Sequence, residues 1–436
     1  MREMKDSGIP SIKEIPVDWA TCRLKFVLSG LTDGTHGTYE RVSEGFPLLS
    51  AKNVFDDGIH IGDSESLVSE KDYRSIISNG FPKKGDVLLC CVGTVGRCTV
   101  YQESKPIAFQ RSVIFMRPDS VITSEYLKYA MQSDSTLSQE SLLINQAAQA
   151  GLYQGSVKEI IIPIPSIHEQ NAIVEHLHNS DIQINNSITR HKAIIEKLQE
   201  YRKAVITQAV TKGLDPDVKM KDSGIPGIGQ IANNYEELRI KFLGSYRNGL
   251  TYSPRDVVEE GQGVLVLRSS NIQNDKLSFE DNVFVACEVP ETLMVKPGDI
   301  LICARNGSAK LVGKSALIDS ELNATYGAFM MVFRPYSANS KYLYYLFNSN
   351  VFNSYRASFA TTTVNQITAG ILGDMTIPYC KNEQEQSSIA IYLDEKCSQI
   401  NEAITRQEQA IKKLEEYRKS VIYNAITGKI DCRKDA

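Results

Sequence analysis

No apolar run in the 436 residues reaches about 18, the length a membrane span needs, and the first residues lack the basic, apolar and small-residue succession of an export signal. The expected location is the cytoplasm. Cysteines are scattered at positions 22, 90, 91, 98, 287, 303, 380, 397 and 432, and no two form a Cys-x-x-Cys pair. That argues against zinc, and an odd number suits reduced thiols. Positive charge is not in excess: 48 Lys and Arg against 52 Asp and Glu leave a net charge of −4. A strongly basic protein is excluded, but a local basic cleft on a neutral body is not.

The chain repeats itself instead. Met4-Lys5-Asp6-Ser7-Gly8-Ile9-Pro10 returns as Met220-Lys221-Asp222-Ser223-Gly224-Ile225-Pro226, and Arg23-Leu24-Lys25-Phe26 returns as Arg239-Ile240-Lys241-Phe242. The offset is 216 residues in both cases, which sets Trp19 opposite Tyr235. Between 169–215 and 385–431, 22 of 47 positions are identical. A period this long is no solenoid, so each copy is a domain with something attached.

The attachment reads as a long helix. Glu169–Thr211 contains neither glycine nor proline. Ile173, Leu177, Ile184, Ile194, Leu198, Tyr201 and Val205 follow the four-and-three spacing of a coiled-coil seam. Ile389, Leu393, Ile400, Leu414, Tyr417 and Val421 repeat it. Pro163 and Pro165 are expected to stop the strand before the first helix, and Gly213 with Pro216 to end the helix. About 40 residues at 1.5 Å each make a rod of roughly 60 Å. Two such rods suit pairing with each other, although packing of each on its own domain stays open. The segments are a first domain at 1–167, a helix at 168–213, a second domain at 214–383, and a helix with tail at 384–436.

The remainder of each copy reads as mixed α/β. Gly85-Asp86-Val87-Leu88 and Gly298-Asp299-Ile300-Leu301 each open a buried strand, and a glycine-bearing loop follows, Gly93–Arg97 or Arg305–Ser308. Further strands run to Arg117-Pro118 and Arg334-Pro335, before helices carrying Tyr126-Leu127 and Tyr342-Leu343. Ser308–Ser315 misses a phosphate-binding loop by its first glycine and opens no helix, so it reads as a hairpin with exposed lysines. His176 and His178, two apart on a helix, point different ways and read as surface residues. There is no Asp-Pro-Pro-Tyr or Asn-Pro-Pro-Phe run to hold an adenine amine, no glycine loop for a methyl donor, and no nuclease-like carboxylate–lysine set.

Three features together resemble the specificity subunit of type I restriction–modification enzymes: Ile162-Pro163-Ile164-Pro165 leading to Glu169-Gln170, the twofold Glu-Tyr-Arg-Lys helix ending, and the Gly-Asp-Val/Ile-Leu turn before a glycine loop. The second copy departs from the pattern at Tyr379-Cys380-Lys381-Asn382, which lacks the proline matching Pro165. The resemblance covers nearly the whole chain. It implies an α+β protein with two pseudo-symmetric target-recognition domains, separated by two long helices forming an antiparallel coiled coil. It implies a non-catalytic reader of a bipartite double-stranded DNA target. It also implies two modification subunits as partners, and two restriction subunits in the full enzyme. S-adenosylmethionine, ATP and magnesium would belong to those partners and not to this chain.

On that reading base contacts belong to the glycine loops and the loops facing them, since specificity needs donors and acceptors at base edges while cations fix register on phosphates. The candidates are Lys52, Arg74, Thr94, Arg97 and Arg111 in the first domain. In the second they are Arg268, Asn271, Arg305, Asn306 and Lys310. The polar stretches 146–154 and 361–366 are weaker additions. Two rivals stay open: a scaffold or adaptor that binds no DNA, supported by the missing basic charge, and an enzyme with a degenerate nucleotide site at Lys314.

Overall fold

The computed structural model describes residues 2–144, 151–225, 227–355 and 365–434. The chain divides into two compact units, Met1–His191 with Gln409–Ala436, and Lys192–Glu408. Each long helix is therefore shared between the units, and neither sequence copy is a unit by itself.

Within the first unit, an antiparallel sheet runs in the order Cys98–Val100, Val87–Cys90, Val113–Pro118, Leu28–Asp33. A smaller sheet places Phe46–Leu49 between Ala108–Phe109, which is parallel to it, and Leu67–Val68, which is antiparallel. The second unit repeats the first sheet as Ser315–Leu317, Ile300–Cys303, Met330–Pro335, Gly244–Asn248. It repeats the parallel pair as Val264–Leu267 with Ala324–Tyr326. The duplication read from short motifs thus extends to the strand plan, to which the second unit adds one strand, Val257–Val258, paired with Phe284–Val285.

The recurring Gly-Asp turn has a physical reason. Gly85 and Gly298 have φ of +94° and +90°, a region open to glycine. Asp86 is buried, accepts the Lys83 N–H at 2.8 Å, and takes a two-pronged contact from Arg117 at 2.9 and 2.8 Å. Asp299 does the same with the Lys296 N–H and with Arg334 at 2.7 and 2.6 Å. A buried carboxylate needs such a partner, so the Gly-Asp and Arg-Pro landmarks are two halves of one interaction.

The long helices span Ile167–Lys212 and Glu383–Ile426. Ser166 and Asn382 cap them by accepting the N–H groups of Glu169 and Glu385. Gly213 and Gly428 end them in left-handed conformation, at φ +74° and +72°. Pro163 lies inside a strand, Ile161–Ile164, that among the described residues pairs with Ala20–Arg23 alone, so it does not stop that strand as expected; an edge position tolerates its missing N–H.

The repeated Glu-Gln pair ties each helix to its domain. Glu169 accepts the Trp19 indole N–H at 2.9 Å, and Glu385 accepts the Tyr235 hydroxyl at 2.8 Å. Gln170 accepts from Thr123 N–H and donates to the Val121 carbonyl, and Gln386 accepts from Asn339 N–H and donates to the Cys380 carbonyl. Ile173 and Leu177 join the first unit's core with Ile422 and Ile426. Ile206 and Val210 join the second unit's core with Ile389 and Leu393.

The helix registers correct part of the sequence reading. Ile173, Leu177, Ile184, Ile389, Leu393, Ile400 and Val421 are buried, and Leu198, Val205 and Leu414 are half-buried. Tyr201 and Tyr417 are 58% and 59% exposed, and Ile194 is exposed as well. The inward positions are one residue later, at Arg202 and Arg418. Arg202 meets Asp275 at 2.5 Å, and Arg418 lies 3.3 Å from Asp181 and also bonds Asn185. An arginine stem covers apolar surface while its head finds a carboxylate, so a charged residue holds a seam position that an apolar pattern assigns to tyrosine.

Candidate nucleic-acid interface

The two units carry one backbone framework at the end of the sheet where the glycine loops emerge. Cys91 N–H donates to the Ser112 carbonyl at 3.0 Å, and Ala304 N–H donates to the Phe329 carbonyl at the same distance. Gln110 N–H reaches the Leu49 carbonyl, and Gly327 N–H reaches the Leu267 carbonyl. Bridges join Val92 to Gly151 and Arg305 to Gln366. Ser50 N–H donates to Asn53 Oδ1 at 3.0 Å, and Arg268 N–H to Asn271 Oδ1 at 2.9 Å. These pairs fix the correspondence: Ser50 with Arg268, Val92 with Arg305, Ser112 with Phe329. The main chain is shared and the side chains it presents are not.

In the second unit this end forms a cleft of ≈ 1030 Å³. Among the expected contacts it gathers Arg268, Arg305 and Asn306, and it adds Tyr252, Phe329 and Asn365. Phe329 is 60% exposed, and the Arg305 guanidinium stands over its ring, 5.2 Å from the centroid. Arg268 pairs with Asp281 at 2.7 Å and donates to the Asp281 carbonyl at 3.1 Å. Asn306 donates to Ser269 at 3.2 Å and accepts the Ser308 N–H, which folds the loop back on itself. Lys310 is exposed beyond the cleft lining. Counting back 217 residues from Arg334-Pro335 to Arg117-Pro118 sets Phe329 opposite Ser112, so the sequence held a signal for this position.

Asn271 does not belong to the contact set. It is fully buried, holds the Arg268 N–H, and donates to the Ser278 and Asp281 carbonyls at 2.9 and 3.1 Å. Asn53 has the same role in the first unit, donating to the His60 carbonyl and to Glu65. Both amides close a turn, and neither is free to meet a base.

In the first unit Lys52 is exposed and lies 2.8 Å from Glu65, whose carboxyl it holds below the usual range with help from Asn53 and the Gly62 N–H. Arg111 is exposed, and its N–H is fixed by the Thr35 carbonyl at 3.0 Å. Thr94 is exposed at the tip of the glycine loop. Arg97 is committed internally: it donates to the Val54 carbonyl at 3.2 Å and lies 4.8 Å from the Phe55 ring centroid. Arg74 sits on the helix Glu70–Ser78 in an exposed pair with Glu70, an ordinary four-residue helix contact. Of the polar stretches, residues 146–150 and 361–364 lie outside the described residues; Gln154 bonds Asp33 at 2.7 Å.

Lys314 donates to the Ile272 carbonyl at 2.7 Å, and burial lowers its pKa. The segment before it is a turn into the strand Ser315–Leu317, antiparallel to Ile300–Cys303, so this lysine braces a hairpin. Among the described residues no group of three or more His, Cys, Asp or Glu is placed to hold a metal ion, and no helix is long and apolar enough to cross a membrane.

Residues 53–198 match the family model described as "Type I restriction modification DNA specificity domain". The chain is similar to the type I restriction enzyme EcoKI specificity subunit of Escherichia coli, 30% identical over 187 residues, which is 42% of this chain and 40% of the relative. It is also similar to the StySPI specificity subunit of Salmonella potsdam, 28% identical over 205 residues, 46% of this chain and 44% of the relative. The chain thus spans less than half the length of either relative. A solved chain described under complex assembly and conformational transition of the type I R-M system superposes with a TM-score of 0.62 at 15% identity, covering 95% of this chain and 99% of that one. At that identity the likeness speaks for the α+β fold. Residues 53–198 thus carry the pattern of a type I restriction–modification DNA specificity domain, and the chain is similar to these two curated specificity subunits over less than half of its length.

Proposed function

We propose that this chain is the non-catalytic DNA-recognition subunit of a type I restriction–modification complex. Each compact unit reads one part of a bipartite target, and the two long helices pair as an antiparallel coiled-coil spacer. Modification subunits, and restriction subunits in the full enzyme, dock on it and carry S-adenosylmethionine, ATP and magnesium. The observation that carries this reading is one backbone framework built twice with different side chains at the same end. A common scaffold keeps the geometry of groove entry, while Ser50, Val92 and Ser112 against Arg268, Arg305 and Phe329 change what is presented to base edges.

Net acidity fits this division of labour, because partner subunits share the phosphate contacts. Co-expression with a type I modification (methyltransferase) subunit, followed by DNA binding at two salt concentrations, tests the reading. A specificity subunit gives sequence-dependent binding that needs the partner and falls steeply with salt. A chain that shows no DNA binding, with or without the partner, would favour the adaptor.

A further inference from the structure

We propose that Arg305 reads a guanine edge in the second unit's half-site, with Phe329 as the positioning residue that holds its guanidinium for that contact; this rests on the DNA-recognition reading above. The argument begins with what the duplication changed. At two neighbouring positions of one framework, Val92 and Ser112 of the first unit stand where Arg305 and Phe329 stand in the second. The main-chain bond from Cys91 or Ala304 and the bridge to the neighbouring segment are shared, and the extra bond in the second unit, from Arg305 N–H to the Phe329 carbonyl, is also main chain, so the backbone does not ask for an arginine or an aromatic side chain there. An exposed phenylalanine beside an exposed arginine on a scaffold that tolerates valine and serine has its reason outside the chain.

The cations near this cleft are not equivalent. Arg268 is committed to the Asp281 carboxylate and carbonyl. Lys310 carries a point charge on a flexible stem, which suits a phosphate and reads no sequence. Among the described residues, Arg305 has no carboxylate partner. Its main chain is pinned, since its N–H bonds the Phe329 carbonyl at 2.9 Å and the residue bridges to Gln366. Its guanidinium is braced by the ring of the residue that also fixes its backbone.

That bracing holds the fork of donors in place, so little further ordering is needed on binding. A planar fork of donors matches two acceptors side by side. In the major groove guanine presents O6 and N7 in that arrangement, whereas adenine sets a donor beside N7. Guanine is therefore the base this side chain selects.

The test uses the chain co-expressed with its methyltransferase partner and a library of targets randomised in both half-sites. Arg305→Lys keeps the charge and removes the fork. Preference for guanine at one position of one half-site is expected to fall on the order of tenfold to a hundredfold. The other half-site, binding to non-specific DNA and the salt slope should stay as they are. Phe329→Ala should weaken the same position by less, and adding it to Arg305→Lys should change nothing more. Phe329→Tyr, which keeps the ring, should retain the preference. The proposal is overturned if Arg305→Lys leaves every base preference intact, or weakens all sequences evenly as a phosphate contact would. A second half-site without guanine overturns it as well. A wild-type complex with no sequence preference overturns the recognition reading itself, a result distinct from a specific complex that ignores Arg305.

Discussion

Glu140 is 2% exposed, and among the described residues its Oε1 has no hydrogen-bond partner. It lies under the first unit's glycine loop, so close that a Cβ added at Gly96 would stand 2.8 Å from its Oε2. Burial lifts its pKa from the ordinary 4.5 to about 8. The folded state holds the neutral form more firmly than the unfolded chain does. The stability linked to this proton is full below 4.5 and is lost as pH rises through about 8. Glu140→Gln should remove that slope and leave the variant more stable than the parent at pH 8 by about 1 kcal/mol or more. Denaturant melts at pH 5 and 8 measure it, and an unchanged slope would reject the assignment. Asn271 makes the opposite case. Asn271→Ala strands one N–H and two carbonyls and should cost about 1–3 kcal/mol of stability. The surviving folded fraction should keep its base preference. Sequence offered Asn271 and Asn306 as equals, because an amide that closes a turn and an amide that lines a cleft differ only in what surrounds them.

The long helices were the most legible elements, since a glycine- and proline-free run with a three-and-four apolar spacing admits little else. Their register was not fully legible. Tyr201 and Tyr417 fit the apolar spacing, yet Arg202 and Arg418 take the inward positions because carboxylates brought from elsewhere, Asp275 and Asp181, receive them. Arg202→Ala should therefore destabilise the second unit by about 2 kcal/mol or more, leaving Asp275 without its partner. Tyr201→Ala should stay within about 0.5 kcal/mol. Thermal unfolding of the two variants side by side decides this, and a reversed order would restore the seam read from sequence.

If each unit reads its own half of the target, replacing residues 93–97 should alter one half-site and Arg305→Lys the other; methylation of a target library reads both. The spacer proposal adds a ruler. Four helix-forming residues inserted after Glu196 and again after Lys412 lengthen each helix by about 6 Å and turn it by roughly 40°. One added base pair advances DNA by about 3.4 Å and turns it by roughly 34°. The preferred gap should grow by about one base pair, with both half-sites keeping their sequences. A gap that stays put while activity persists would show that the helices do not set the spacing.

The duplication, the long helices and their ends, the Gly-Asp and Arg-Pro landmarks and the likeness to type I specificity subunits were all written in local chemistry: turn residues, apolar period and motif order. These need only neighbours in the chain, so the sequence by itself determined them. The tertiary structure decided which long-range partner each polar side chain meets. It put Asn271 inside and Phe329 outside, tied Arg97 to the Val54 carbonyl, and left Arg305 standing on an aromatic ring. A hydrogen bond across tens or hundreds of residues depends on where two strands are brought together, and no spacing along the chain records that.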